Sequence, residues 1–521
     1  MSVRFLEKLN RPQPISERSL NIKFNNSVIE WVRVSALQCI MFVGVLVFQI
    51  YCIFHHSPWR DETQALLISS QEFPGIILSA HYEGHPLVWF FLLNIFGKFT
   101  TIDQTLPVLQ SCVQFFVLFL IWFRSSFSNI VRLFISIGYF VGFEYGVIAR
   151  PYVFAELLLF VVIVFRRSLW AWFFLFLLPN TSTHYAFLTP LLGAWLFCRG
   201  NKSLAGGALV LGGCLLAAVS VWPAADLRPS AVMPADPVVR GIYELFWNSI
   251  SVQPAFRLPP IWNGVVSPLT AIPLGLVPLV LGASGLRARR EDVLLFLSAY
   301  ALLFGFGIGA YLCFPRHLGI AVVIFIGLLW SQVEDGIKLN FSSLTWLVMM
   351  ALSGLVFLIG GLVYSFSAAN GLAAFARATD LDRLPWASVM GYDGTDYSGR
   401  TGQPTLNLQK GCWNTFQIWN YEAGTPPAPS ILTTRLHRLS TLPDGAVVIS
   451  EVTLPPEAGA RELARFVGAM TEQTLIVSRL PHQAGVAAPF PDCRAQGWGR
   501  SLRGGRIGSS DAGLPAKAAA R

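Results

Sequence analysis

Apolar residues in this chain come in long blocks rather than in short alternation. The blocks lie near 34–54, 106–123, 131–149, 152–165, 168–181, 186–198, 204–223, 268–286, 293–314, 318–333 and 342–365. A bilayer-spanning helix needs about 20 apolar residues, so the pattern predicts an α-helical polytopic membrane protein with about eleven spans. The stretch 86–99, "PLVWFFLLNIFGKF", is apolar but shorter, and reads as a helix on the membrane surface. Counting it as a span would invert everything after it. Past about 366 the pattern changes. "WASVMGYDG", "GAVVIS" and "QTLIVSRL" predict short buried strands, and "ARELARFVGAM" predicts a helix. Residues 366–500 therefore read as a small α/β domain, and 501–521 as a disordered tail.

Charge orients this layout, because cytoplasmic loops collect Lys and Arg. With the segment 1–33 inside (Arg4, Lys8, Arg11, Arg18, Lys23, Arg33), the cationic turns at Arg124 and Arg132, Arg166 and Arg167, Arg199 and Lys202, and Arg287, Arg289 and Arg290 all fall inside as well. The membrane domain is then 34–365, its first outer loop is 55–105, and 366–500 lies outside. The expectation is a multi-pass protein of the inner, cytoplasmic membrane with a periplasmic or extracytoplasmic C-terminal domain. His55, His56, His81, His85, His184, His317, His437 and His482 then all lie at the outer side, which concentrates polar chemistry on one face.

Composition agrees. Charged residues make up 13% and apolar ones 54%, against about a quarter charged in soluble domains. The net charge of +9 records the cytoplasmic Arg and Lys, and with no long basic stripe it does not predict nucleic-acid binding. Six of the eight Cys fall in apolar blocks; Cys412 and Cys493 lie in the outer region, where an oxidising exterior would let them pair. No internal repeat is apparent.

The first outer loop holds "PWRDET", an amphipathic "TQALLISSQEFPGIILSA" and then "HYEGHPLVW". An interfacial helix would keep Asp61 and Glu62 at the membrane boundary, where a partly desolvated carboxylate is a better base. Asp61 also suits a helix N-cap. In an extended stretch His81, Glu83 and His85 would share one side, next to Arg60 and Tyr82 in the same loop. Such a set suits a divalent cation such as Mg or Mn, held by Asp61, Glu83 and His85; it equally suits a phosphate, sugar hydroxyls, or a turn capping the helix begun at Pro86.

An acidic "DE" pair in the first outer loop, followed by "EGHP" and an aromatic-rich surface helix, resembles the GT-C superfamily of membrane glycosyltransferases. The likeness is to bacterial members similar to protein O-mannosyltransferases and to lipid A aminoarabinose transferases, and it covers roughly 34–200. The resemblance implies a GT-C-like fold and a sugar drawn from a polyprenyl-phosphate carrier on the outer face. It places the catalytic acid at Asp61, with Glu62 beside it. The family often has a double Pro after the His, where this chain has Pro86 and Leu87.

Other groups approach the same face. "FEYGVIARPYVFAELLLF" sets Arg150 between Glu144 and Glu156, where it can pair with either or grip a lipid-linked phosphate; Tyr152 follows it. His184 and Tyr185 sit at the next outer turn, and Arg316 and His317 at a later one. The outer loop 224–267 reads as a cover over a lipid groove or as a spacer. Trp413, Trp419 and Tyr421 suit either sugar stacking or core packing.

The combined expectation is an inverting transferase of cell-envelope glycan assembly. Asp61 would act as general base on the hydroxyl of a glycan, lipid or protein acceptor, and Glu62 or Glu83 would orient that acceptor or ligate a metal. A transporter or flippase of lipid-linked sugars would use the same groups without bond chemistry, and a membrane scaffold would not use them at all.

Overall fold

The computed structural model describes residues 36–222, 260, 262, 268–309, 315–379 and 381, and between 386 and 480 six strands with a few residues beside them. The predicted tail, the Cys412–Cys493 pairing, His437, His482, Trp419, Tyr421, the side chain of Trp413 and most of 224–267 lie outside these residues.

Every apolar block carries helix. In chain order these are α1 (Ala36–His55), α2 (Arg60–Ser69), α3 (Phe73–Glu83), α4 (Val88–Gly97), α5 (Ile102–Phe119), α6 (Asn129–Ser136), α7 (Pro151–Val164), α8 (Trp170–Leu177), α9 (Thr183–Cys198), α10 (Leu204–Ser220), α11 (Pro268–Leu286), α12 (Arg290–Gly309), α13 (Pro315–Glu334), α14 (Phe341–Val363) and α15 (Ala369–Ala378). Among the described residues four helical stretches are long and apolar enough to cross a bilayer: Ala36–His55, Gln104–Arg124, Arg316–Glu334 and Phe341–Val363. The protein is thus a mostly helical, multi-pass membrane protein with a small sheet. The amphipathic run of the first loop is two helices, α2 and α3, and the stretch 86–99 contains α4.

The block 131–149 is not one span. It is α6, a π-helical turn at Tyr139–Glu144, and then non-helical chain to Arg150. Glycines allow the break: a Cβ on Gly142 would sit 2.7 Å from the Ser136 carbonyl oxygen, and one on Gly354 of α14 would run into the Ile137 carbonyl. The carbonyls released from the helical ladder must find donors inside the membrane. Buried glutamines supply them. Gln49 donates to Ser136 O at 2.6 Å, Gln114 to Val141 O at 3.0 Å, and Gln110 to Gly146 O at 3.0 Å. The chain that delivers Arg150 is therefore held rigidly.

Helix α13 runs through the bundle centre, with 94% of its apolar stretch buried. With α7 and α9 it begins at one end of the bundle, near Arg150, His184 and Arg316, and finishes at the other end. There Asp335 forms ion pairs with Arg167 (2.7 Å), Arg289 (2.9 Å), Arg166 (3.3 Å) and Arg199. The bundle thus has two polar ends of different character: one an arginine clamp on Asp335, the other the first-loop residues.

After α15 the strands β1 (Trp386–Val389), β2 (Thr405–Asn407), β3 (Cys412–Asn414), β4 (Val447–Ser450), β5 (Arg461–Gly468) and β6 (Gln473–Arg479) form one sheet in the order β3-β2-β1-β4-β6-β5. β1 is parallel to β2 and β4; the remaining pairs are antiparallel. Leu372, Ala376, Trp386, Ile449 and Val477 form its core. The three expected strands are present, but the segment expected as a helix is the edge strand β5, paired to β6 with an irregularity between Glu462 and Ala464. The sheet meets the bundle where Met470 N donates to Ser365 O (3.2 Å) and Trp262 N to Met470 O (2.8 Å).

Candidate active site

The site starts at the N-terminus of α2, where Trp59 is extended and the chain turns into helix at Arg60. Glu62 fixes that start. It is fully buried; its Oε2 accepts from Trp59 N (3.0 Å) and His56 Nε2 (2.8 Å), and its Oε1 from Ala149 N (2.6 Å). Glu62 was expected to touch substrate or metal. The geometry corrects this, because both its oxygens are committed to internal donors. Its bond to Ala149 aligns the neighbours on each strand of chain, so Asp61 meets Arg150.

The Arg150 guanidinium gives one Nη to Asp61 Oδ2 and the other to His85 Nε2 at 3.2 Å. Arg316 Nη2 stands 3.8 Å from the same Asp61 oxygen, and Arg60 Nε 3.8 Å from Oδ1. Of the two alternatives for Arg150, the pairing with Glu144 or Glu156 is not found. Glu144 accepts instead from Tyr139 Oη (3.0 Å) and Trp262 Nε1 (2.8 Å), and Glu156 is fully buried with neither carboxylate oxygen hydrogen-bonded. Two indoles that the sequence reading passed over wall the cations: Arg150 and Arg316 lie 5.6 and 5.3 Å from the Trp59 ring, and Arg316 lies 5.6 Å from Trp262. A polar "PWR" opening a helix was the available signal for Trp59; nothing local marks Trp262.

The triplet His81, Glu83 and His85 is not extended. α3 continues to Glu83 and closes on Gly84 at φ +64°, a left-handed cap that favours glycine. Helical rather than alternating geometry turns His81 away, and its Nδ1 bonds the Trp222 carbonyl oxygen at 2.6 Å. Tyr82 lies on α3, with its side chain outside the described set. Glu83 and His85 stay with Asp61. Tyr152 stands beside His85 (ring centres 6.3 Å apart) and His317 (6.0 Å), and His317 stacks on His184 at 4.3 Å. Tyr185, next in α9, is fully buried.

Burial raises the Asp61 carboxyl, but Arg150, Arg316 and Arg60 outweigh it and hold Asp61 below the ordinary carboxylate range. Glu83 goes the other way. Burial first, then the Asp61 charge, push it up to about 8 against the pull of Arg150 and Arg60. Burial, with Arg150 and His184 adding to it, pulls His85 well down, so its ring is neutral. Its Nε2 accepts from Arg150, which leaves the proton on Nδ1; that nitrogen is buried and makes no hydrogen bond, nor do Asp61 Oδ1 and Glu83 Oε1. Among the described residues Arg60, Arg150 and Arg316 thus surround the Asp61 carboxylate, and three polar atoms beside it make no hydrogen bond. Guanidinium groups gathered in this way suit an anion such as a phosphate.

Arg150 occupies the space between Asp61 and His85, and among the described residues no three His, Cys, Asp or Glu are grouped to hold a metal.

No protein-family model and no curated protein matches this chain. Two solved structures resemble it. ArnT from Cupriavidus metallidurans in the apo state is 13% identical over 84% of this chain and 97% of that one, with a TM-score of 0.48. The same protein bound to undecaprenyl phosphate is 12% identical over 87% of this chain and 100% of that one, with a TM-score of 0.49.

Proposed function

We propose that this protein is a membrane glycosyltransferase that moves a sugar from a polyprenyl-phosphate carrier to an acceptor hydroxyl, with inversion. The supporting observation is the Asp61 carboxylate held between Arg150 and Arg316, at the end of the bundle opposite the Asp335 clamp. The acceptor oxygen attacks the anomeric carbon, its proton passes to Asp61, and the bond from that carbon to the phosphate oxygen breaks. The carrier leaves as a phosphate monoester, so its charge grows from one negative toward two during the step. Arg150 and Arg316 then gain more in the transition state than in the ground state, which is what accelerates a reaction. A phosphate that shares these guanidiniums also loosens their hold on Asp61 and makes it a stronger base.

Glu83 orients the acceptor, taking the part that Glu62 cannot. In its neutral form it donates a hydrogen bond. Its pKa lies at about 8, above the ordinary 4.5, so this donor is lost as pH rises through 8. Transfer should fall across that range, and Glu83→Gln, which keeps an uncharged donor, should remove the alkaline limb. By the same sign, wild-type stability should decline between about pH 4.5 and 8, where the unfolded chain has given up a proton that the folded protein still holds, and Glu83→Gln should flatten that slope. An alkaline limb that persists in Glu83→Gln would assign it to another group.

The Arg-rich Asp335 end is placed in the cytoplasm by the positive-inside rule, which puts Asp61 and the sheet outside the inner membrane. A reporter fused at Ser367 should be extracytoplasmic; a cytoplasmic reporter reverses the orientation. Incubating purified protein in bilayer discs with a labelled polyprenyl-phosphate sugar tests the reaction itself. A transferase releases free carrier and labelled product, whereas a flippase moves the intact donor and releases nothing.

A further inference from the structure

The uncommitted polar atoms near Asp61 include a side chain to which no role has been given. Gln64 lies one turn after Asp61 in α2, on the same helix face. It is fully buried, and neither its amide nitrogen nor its amide oxygen has a hydrogen-bond partner. Four other described glutamines are comparably buried, and each is used by the fold. Gln49, Gln110 and Gln114 donate to the carbonyls of the broken 136–146 segment, and Gln332 donates to Leu286 O (3.1 Å) and Asp292 Oδ2 (2.7 Å). Gln64 supports no backbone and bridges no helices. A buried amide left unmatched on both atoms destabilises the fold unless a ligand meets it.

We infer that Gln64 forms a sugar subsite beside Asp61, in which its amide binds a hydroxyl of the transferred sugar. This rests on the transferase reading above. A hydroxyl donates and accepts at once, so it can match either atom of the amide. Three helical residues, about 4.5 Å of rise, separate Gln64 from Asp61 along the axis. A ring with its anomeric carbon near Asp61 then lies along the α2 face, while its phosphate meets Arg150 and Arg316.

The test uses full-length protein in bilayer discs and two kinds of probe: polyprenyl-phosphate mannose or glucose, and bare polyprenyl phosphate. Gln64→Leu should weaken the sugar-loaded probe by about tenfold or more and leave bare carrier unchanged. It should also melt at or above the wild-type temperature, because it removes two unmatched polar atoms from the resting protein. Gln110→Leu, which deprives Tyr145 and Gly146 of their donor, should melt lower. The subsite is overturned if Gln64→Leu binds both probes as wild type does, weakens both equally, or melts lower. Wild-type protein that binds neither kind of probe overturns the transferase reading, and the subsite falls with it.

Discussion

Asp61→Asn is expected to cut transfer by about 10²–10⁴-fold, the usual contribution of a general base, while bare polyprenyl phosphate binds at least as tightly as before. The second half follows from the pairing seen here. In the resting protein Asp61 competes with any anion for Arg150 and Arg316. Asparagine keeps an oxygen that accepts from the Arg150 Nη but gives up the charge, so both guanidiniums turn more fully toward phosphate. A protein that fails to fold loses carrier binding and transfer together, whereas loss of the base separates them. Single-turnover transfer measured beside carrier affinity distinguishes the cases. Transfer within tenfold of wild type would remove Asp61 as the base.

The parts of this fold legible in sequence are those set by local physics. A helix in lipid satisfies its own backbone, so each apolar block announces itself. The strands at Trp386–Val389, Val447–Ser450 and Gln473–Arg479 are short runs rich in β-branched or aromatic residues, the local signature of buried strand. The failures are non-local. "RELARFVG" carries good helix formers and alternates only imperfectly; what makes it β5 is seven residues of β6 alongside, and its charged outer positions are ordinary for an edge strand. Hydropathy could not show that 131–149 is broken, because the glutamines that make the break tolerable come from α1 and α5. In the site, Asp61, His85, Arg150 and Arg316 were readable as polar groups gathered at one end of the bundle. Which of them touch was not readable. The choice of Asp61 over Glu144 and Glu156 as the partner of Arg150 follows from the bond between Glu62 and Ala149, 87 positions apart. Alternation was the wrong period for His81, Glu83 and His85, since Pro74 near the start of α3 and Gly84 at its end frame a helix.

Arg150→Ala should weaken carrier binding by roughly two orders of magnitude or more, since truncating one member of a buried charged pair costs about 2–5 kcal/mol. Lysine should not rescue it. A single ammonium cannot reach Asp61 and the His85 Nε2 at once, nor spread over the Trp59 and Tyr152 rings that face the guanidinium at 5.6 and 5.9 Å. The substitution also changes the acid side of the pH profile in a definite direction. Of the charges that hold Asp61 below the ordinary range, Arg150 acts most strongly, and burial opposes them all. Without Arg150 the burial effect gains ground, the Asp61 carboxyl takes up its proton at higher pH, and the acid limb of residual transfer moves upward. Arg316→Ala should move that limb less, because its nearest nitrogen is 3.8 Å from Asp61 and the contact is no direct hydrogen bond. Carrier affinity and the transfer profile measured for both variants decide the matter. If the acid limb stays in place in Arg150→Ala, the limb belongs to a group other than Asp61, and the reaction needs a different base.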